Sequence, residues 1–310
     1  MSGTKNVYVL ASISMDLFIS TPYLPKIGET LIGNNFFTGP GGKGNNQTVA
    51  VAKQNINTIL IGSVGNDLFG NEVAKSWENL KIDTKNVEKL NNVSTGIAVI
   101  INENGNNRII IDCGANHKMT KERIDKALEN VNEGDILINQ LEVNFDMVEY
   151  SIKKAKEKKM INIFNPAPAK KLDKDLLKNV DYLIVNEGEC EMISDVKIDG
   201  NKLDEKTSKE ALNKIGVQNL IITLGENGSV FVNEKEYFKI DAVKIKSVDS
   251  TAAGDAFVGV FASQLIKGKN IKDAMNYASY AGTLTCLKNG SQKSIPSEEE
   301  LNKFIEENKK

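Results

Sequence analysis

The run Asp249-Ser250-Thr251-Ala252-Ala253-Gly254-Asp255-Ala256-Phe257 leads into an amphipathic helical pattern ending near Lys267. Its small residues let the backbone N–H groups of Ala252, Ala253, Gly254 and Asp255 point at a bound anion with no side chain in the way. Asp255 falls in the first helical turn, where the helix dipole favours an ionised carboxylate by ~0.3 to 1 kcal/mol. A carboxylate beside a phosphate cradle is the arrangement of a base that activates an alcohol. The same residues also describe an ordinary Asp-rich helix start.

A second run, Gly39-Pro40-Gly41-Gly42-Lys43-Gly44-Asn45-Asn46-Gln47, also enters a helix. Gly39, Gly41 and Gly44 fit the spacing G-x-G-x-x-G, but a dinucleotide fingerprint directly follows the first buried strand, and this one follows a proline-rich excursion. Without Gly-Lys-Ser/Thr it is not a Walker A loop either. It reads as a tight turn where a polar ligand approaches backbone, with Lys43 and Asn46 offering charge and amide to hydroxyls. A plain helix-entry turn is the other reading.

Composition limits what else these segments can use. The 310 residues contain 37 Lys but two Arg (Arg108, Arg123) and one His (His117), with a formal net charge of -2. A His-rich zinc centre and an arginine clamp for phosphate are therefore both excluded within one chain. The near-balanced charge supplies no broad basic field for nucleic acid. Cys113, Cys190 and Cys286 are odd in number and widely spaced, which fits reduced thiols in a cytoplasm. No stretch reaches 18 apolar residues, so no membrane partner is expected. The apolar run Val7 to Phe18 contains Asp16 and reads as a first strand rather than a signal core.

The elements that must position these residues follow from periodicity. Val7 to Ala11, Thr58 to Val64, Asp135 to Ile138, Met160 to Phe164, Tyr182 to Val185 and Asn219 to Leu224 are short Ile- and Val-rich runs, the pattern of strands buried on both faces. Helical patterns lie between them at Asn45 to Gln54, Phe69 to Leu80, Lys121 to Asn130, Phe145 to Lys158 and Ser208 to Ile215. The alternation predicts an α/β fold with a mostly parallel sheet flanked by helices. Two excursions break it, at about residues 14–38 and 95–112. The second is a hairpin through Asn102-Glu103-Asn104-Gly105-Asn106-Asn107, and together they predict a small antiparallel sheet acting as a lid. The chain reads as a single domain, 1–310, helical beyond Gly254 after the strand pair Ser229 to Val232 and Glu236 to Ile240. Polar residues cluster at strand C-terminal ends, where open α/β sheets bind ligands: Asp16, Asn139, Gln140, Glu142, Asn165, Asn186, Glu189 and Thr223.

GGKGNNQ (Gly41 to Gln47) and DSTAAGDAF (Asp249 to Phe257) resemble the two signatures of the ribokinase, or PfkB-type, family of carbohydrate kinases. The ordered segments ASISMD, GET, TG, QLE, NPAP, NEGE, TLGENG and NGSQKSIP extend the resemblance over nearly the whole chain. It implies a three-layer fold with a β lid that closes on sugar and pairs with a second subunit's lid to form a homodimer. It also implies ATP-dependent phosphorylation of a sugar 5-hydroxyl, with Asp255 as base and the amides of Ala252, Ala253 and Gly254 as anion hole. D-ribose is the expected acceptor; 2-deoxyribose, fructose or a nucleoside are alternatives, and a non-catalytic sugar or nucleotide sensor is a remote one.

Carried over by resemblance, the sugar contacts are Ser14, Met15, Asp16, Gly42, Lys43, Gly44, Asn45, Asn46, Glu142 and Asp255. Asn186 and Glu189 would organise Mg²⁺ through water. Thr223, Leu224, Gly225, Glu226, Asn227, Gly228, Gly254 and Ser279 fall where the nucleotide binds. A potassium site would use oxygens of Asp249, Thr251, Thr285, Lys288, Gly290 and Ser294, several of them backbone carbonyls. The chain departs from the family pattern at Ser14, where Asn is usual, at Asn45, where Ala is common, and at Ser279, where Asn or His is common. Ser14 bears most on function, because a shorter hydroxyl weakens the expected hold on a sugar 2-hydroxyl.

Overall fold

Alternate residues of the buried strands serve opposite sides of one sheet, and that alternation sets the layers. Val7 and Val9 pack into one core with Ile136, Ile138, Phe257, Phe261 and Met275. Tyr8 and Leu10 pack into another with Leu137, Val148, Ile152, Leu212 and Ile222. Fully burying such a side chain contributes about 1.5 to 3 kcal/mol, so strands apolar on both faces hold only when helices cover both. The computed structural model describes residues 5–104 and 106–308.

In chain order the first half comprises β1 (Val7–Leu10), β2 (Ser14–Thr21), β3 (Asn34–Gly41), α1 (Lys43–Ala52), β4 (Thr58–Gly65), α2 (Leu68–Lys75), β5 (Ile82–Leu90), β6 (Gly96–Glu103), β7 (Asn106–Asp112), α3 (Lys121–Ala127), β8 (Ile136–Asn139) and α4 (Phe145–Glu157). The second half adds β9 (Ile161–Phe164), α5 (Lys174–Leu177), β10 (Tyr182–Asn186), α6 (Glu187–Ser194), α7 (Glu205–Ile215), β11 (Leu220–Thr223), β12 (Ser229–Val232), β13 (Tyr237–Ile240), α8 (Ala253–Ile266), α9 (Ile271–Thr285) and α10 (Glu298–Asn308). Among the described residues the main sheet runs β13-β12-β11-β10-β9-β8-β1-β4-β5, and a separate sheet runs β3-β2-β6-β7. All main-sheet pairs are parallel except β11 with β12 and β12 with β13.

The expected fold class is the observed one, with two differences. The lid is a mixed sheet rather than an antiparallel one, because β2 lies parallel to β6 from Ser14 opposite Gly96 to Thr21 opposite Glu103. Both strands leave the main domain in the same sense, each after a main-sheet strand, so they enter the lid side by side. The periodicity also missed β5, whose sequence IDTKNVEKL is half-buried and polar; an edge strand needs no continuous apolar run. Gly105, in the expected hairpin turn, lies outside the described residues. His117 is exposed just beyond β7, where a surface position was expected.

Candidate functional site

Two helix starts converge on one point. α1 and α8 pack against each other so closely that a Cβ on Gly259 would lie 2.5 Å from the Ala50 Cβ and 2.8 Å from the Gln47 carbonyl oxygen. That approach delivers the first turn of α1 onto the first turn of α8. Asn46 Nδ2 donates to Asp255 Oδ2 at 3.0 Å and Gln47 Nε2 donates to Asp255 Oδ1 at 3.0 Å. Gly42 makes the entry to α1 possible: its φ is 90°, and a Cβ would stand 2.7 Å from the Ser12 carbonyl oxygen and 3.0 Å from the Ser14 nitrogen.

Asp255 is 8% exposed. Burial raises its pKa above the ordinary aspartate value; Lys43 and the amides of Asn46 and Gln47 pull the other way, and Glu142 adds to the rise. Burial also works against the Lys43 ammonium, but Asp255, Glu142, Glu189 and Asp16 together outweigh it and raise its pKa. Asp16 is pushed up to about 7 by burial and by the neighbouring carboxylates of Glu142 and Asp255, against a Ser291 hydrogen bond and Lys43. Glu142 is anchored through Oε2, which accepts from Ser12 Oγ at 2.7 Å and from the Lys43 backbone N–H at 3.0 Å. One lysine thus serves a group of carboxylates that water reaches poorly, an arrangement suited to accepting protons and hydrogen bonds from a polyol.

Asp16, Lys43, Asn46, Glu142, Glu189 and Asp255 line a cavity of about 490 Å³ that also takes in Ser14, Gly42, Asn116, Asn165, Asn186 and Gly254, roofed by Ile100, Ile109 and Ile111 of the lid. A second cavity, about 940 Å³, is lined by Thr223, Gly225, Glu226, Asn227, Gly228, the segment Ala242 to Ile245, Ala253, Phe257 and Ser279. Asn186, Thr223, Ser250 and Gly254 belong to the walls of both. The two chambers therefore meet at the N-terminus of α8, which has no side-chain cap and whose N-cap residue, Ala252, adopts φ 63°. A left-handed non-glycine residue is backbone strain, which clusters at functional sites. The expected row of amides facing outward is shortened by one, because the Ala253 N–H donates to the Ser250 carbonyl at 3.2 Å.

Glu189 sits at the start of α6, where Asn186 and Glu189 form a reciprocal capping box. Burial raises its pKa against the Asn186 backbone bond and Lys43, with Asp255 adding to the rise. Beyond α8, Asp249 Oδ1 accepts from the Thr251 backbone and hydroxyl, and Oδ2 accepts from the Gly290 N–H at 3.0 Å. The hydroxyls of Thr285 and Ser294 donate to the carbonyls of Ala281 and Ser291, and the Lys288 ammonium reaches Glu300, so Lys288 can offer a cation only its backbone carbonyl. Among the described residues no group of three or more His, Cys, Asp or Glu is placed to hold a metal.

Nine expected site residues line neither cavity: Met15, Gly44, Asn45, Leu224 and, of the expected potassium site, Asp249, Thr285, Lys288, Gly290 and Ser294. Met15 is wholly buried in the core beside Ile13, since strand alternation turns it away from Ser14 and Asp16. Gly44 packs on Ala11 and Gln140. Asn45 is buried behind α1, where its Nδ2 donates to the Gly41 carbonyl and its Oδ1 accepts from Trp77 Nε1. Leu224 belongs to the core, and Thr285 is buried. Asn139, at a strand end, turns to Ser151 on α4 instead of the rim. Residue reading overlooked Gln47 and most of the α9 wall. Ser279, Gly282, Thr283 and Cys286 line the second cavity together, and their spacing of three, four and seven is one helical face, a signal present in the sequence.

Two chambers joined at an uncapped helix start, with a buried carboxylate on one side, define a group-transfer enzyme. The family model for pfkB carbohydrate kinases matches residues 4–298, and the chain belongs to that family: it is a sugar kinase. A deoxyribokinase of Salmonella typhi is 33% identical over 302 residues, covering 97% of this chain and 98% of that one. A ribokinase of Staphylococcus aureus is 34% identical over 302 residues, covering 96% and 99%. The structure of Arabidopsis thaliana ribokinase complexed with ribose and ATP superposes with a TM-score of 0.88 at 26% identity, covering 97% and 99%. Among the described residues no helix is long and apolar enough to cross a membrane.

Proposed function

We propose that the chain transfers the γ-phosphoryl group of ATP to the 5-hydroxyl of D-ribose, giving D-ribose 5-phosphate and ADP. The observation that carries this reading is the shared wall of the two cavities at Gly254, with Asp255 on the smaller side only. A pentose suits the smaller, carboxylate-lined chamber and a nucleotide the larger. The acceptor oxygen bonds to the γ-phosphorus, the bond from phosphorus to the bridging oxygen breaks, ADP leaves with that electron pair, and the hydroxyl proton passes to Asp255. The α8 terminus stabilises the charge on the transferring group.

Magnesium bound with the nucleotide would neutralise charge on the phosphate oxygens. Asn186 and Glu189 fit an ion held through water: Glu189 Oε2 is engaged by the Asn186 N–H, and its raised pKa is a cost that a nearby cation relieves. Potassium would fit between Asp249, Thr251 and the carbonyls of Thr285, Lys288, Gly290 and Ser294, since the Asp249 carboxylate already ties Thr251 to Gly290. A rate unchanged on replacing potassium by tetramethylammonium would remove that assignment. The free, widely spaced cysteines support a cytoplasmic setting.

Phosphorylation of 2-deoxyribose is the second reading. Ser14 favours it, as a short side chain on the acceptor wall that leaves a 2-hydroxyl less well held, and the deoxyribokinase relative is as similar as the ribokinase. ADP release measured with ribose, 2-deoxyribose, fructose and a nucleoside separates the readings: the highest kcat/KM should fall on ribose, and a clear preference for another acceptor ends the ribose reading. Asp255→Asn should keep sugar binding by calorimetry and lose ~10² to 10⁴-fold in turnover; near-normal turnover would remove Asp255 as the base.

A further inference from the structure

Gln47 is fully buried, does not itself line the first cavity, and yet is bonded to the base. Its amide can point in one direction only. The Ile184 carbonyl accepts from Asn165 Nδ2 at 2.9 Å, and a backbone carbonyl cannot donate, so Asn165 must turn Oδ1 toward Gln47. Gln47 Nε2 meets that oxygen at 3.2 Å and Asp255 Oδ1 at 3.0 Å, using both of its hydrogens. The remaining Gln47 oxygen accepts from Gln140 Nε2 at 2.7 Å. A chain of three amides, β10 carbonyl to Asn165 to Gln47 with Gln140 behind, thus ends on one oxygen of Asp255. The other oxygen is bonded by Asn46, which does line the cavity.

We propose that Gln47, oriented by Asn165 and Gln140, is a positioning residue that tethers Asp255 Oδ1 behind the acceptor cavity, so that Oδ2 faces the substrate hydroxyl and the carboxylate stays ionised. The proposal rests on Asp255 being the base. A hydrogen bond to the charged form favours that form, and here it works with Lys43 against burial. The other charged groups facing this carboxylate are Glu142 from the loop after β8, Asp16 from β2 and Glu189 from α6, and all three disfavour its charge. Without Gln47 the balance tips toward the protonated acid, which cannot take a proton from a sugar.

The test is the pH profile of kcat at saturating sugar and ATP for Gln47→Met, which keeps the shape and removes the donor. The acid limb should move up by about one pH unit, so that kcat falls about tenfold on the limb itself while its plateau at higher pH changes little and both KM values change less than about twofold. Gln140→Met, which frees the Gln47 amide to turn, should move the limb the same way by less, and carries the test alone if thermal unfolding shows Gln47→Met to be misfolded. A limb that stays in place in the folded variants, or a change confined to KM, overturns the role of Gln47. Normal turnover in Asp255→Asn would instead sink the base assignment beneath it.

Discussion

Asp16, whose carboxyl is pushed up to about 7, should set the pH dependence of sugar binding. A carboxyl raised to about 7 is largely neutral at pH 6 and largely ionised at pH 8 in the sugar-free enzyme. Sugar hydroxyls donate best to the ionised form, so kcat/KM for the sugar, which reports the free enzyme, should fall as pH drops below about 7. Asp16→Asn should lower kcat/KM and remove that limb; a limb left unchanged means another group is responsible. The placement of Asp16, Lys43, Asn46 and Asp255 around one cavity was legible from residue type and motif. Their shifted proton affinities were not, because these arise from carboxylates supplied by four separate elements around one ammonium.

At the scale of elements, the crossing of α1 and α8 decides whether the site assembles. Gly259 is the point of closest approach, and a methyl there would press on Ala50 and Gln47. Replacing glycine by alanine in a helix favours the helix by roughly 0.5 to 1 kcal/mol, whereas overpacking a tight contact costs about 1 to 3 kcal/mol. Overpacking wins, so Gly259→Ala should lower the unfolding midpoint and separate Asn46 and Gln47 from Asp255. Turnover should fall about tenfold in an ADP-release assay, and unaltered turnover would show that α1 can shift without harm. The sequence pattern marked both helices but not their crossing. A small residue inside an apolar helix looks the same whether or not another backbone touches it. The overlooked β5 has the same cause: as an edge strand its polar residues are satisfied by solvent on one side.

Over the whole molecule, the lid is the part least committed to this chain's own core. Ile109 and Ile111 turn toward the acceptor cavity, and Ile110 between them, 65% exposed, turns to the opposite face; Phe36 on β3 is 63% exposed. Both are edge strands of the four-stranded sheet, and exposed apolar edges are disfavoured unless covered. A lid-to-lid homodimer would cover them. Ile110→Glu should shift the sedimentation coefficient to that of a monomer and raise KM for the sugar; a dimer that persists overturns this mode of pairing. The lid is tied to the main domain through Ser291 Oγ, which donates to the Pro40 carbonyl at 2.9 Å.

Alternating apolar strands and helices determined the layered fold, since strands buried on both faces have no other stable partner, and the motifs at the starts of α1 and α8 marked the two helix ends that meet at the cavities. Those are local properties, written in consecutive residues. Tertiary structure alone decided that the lid is mixed, that Asn45 turns behind α1 to Trp77 while Asn46 faces the cavity, and that Gln47 reaches Asp255 across 208 residues of sequence. Contacts between distant segments depend on crossing geometry and on which face each helix turns inward, and no short window of sequence contains either.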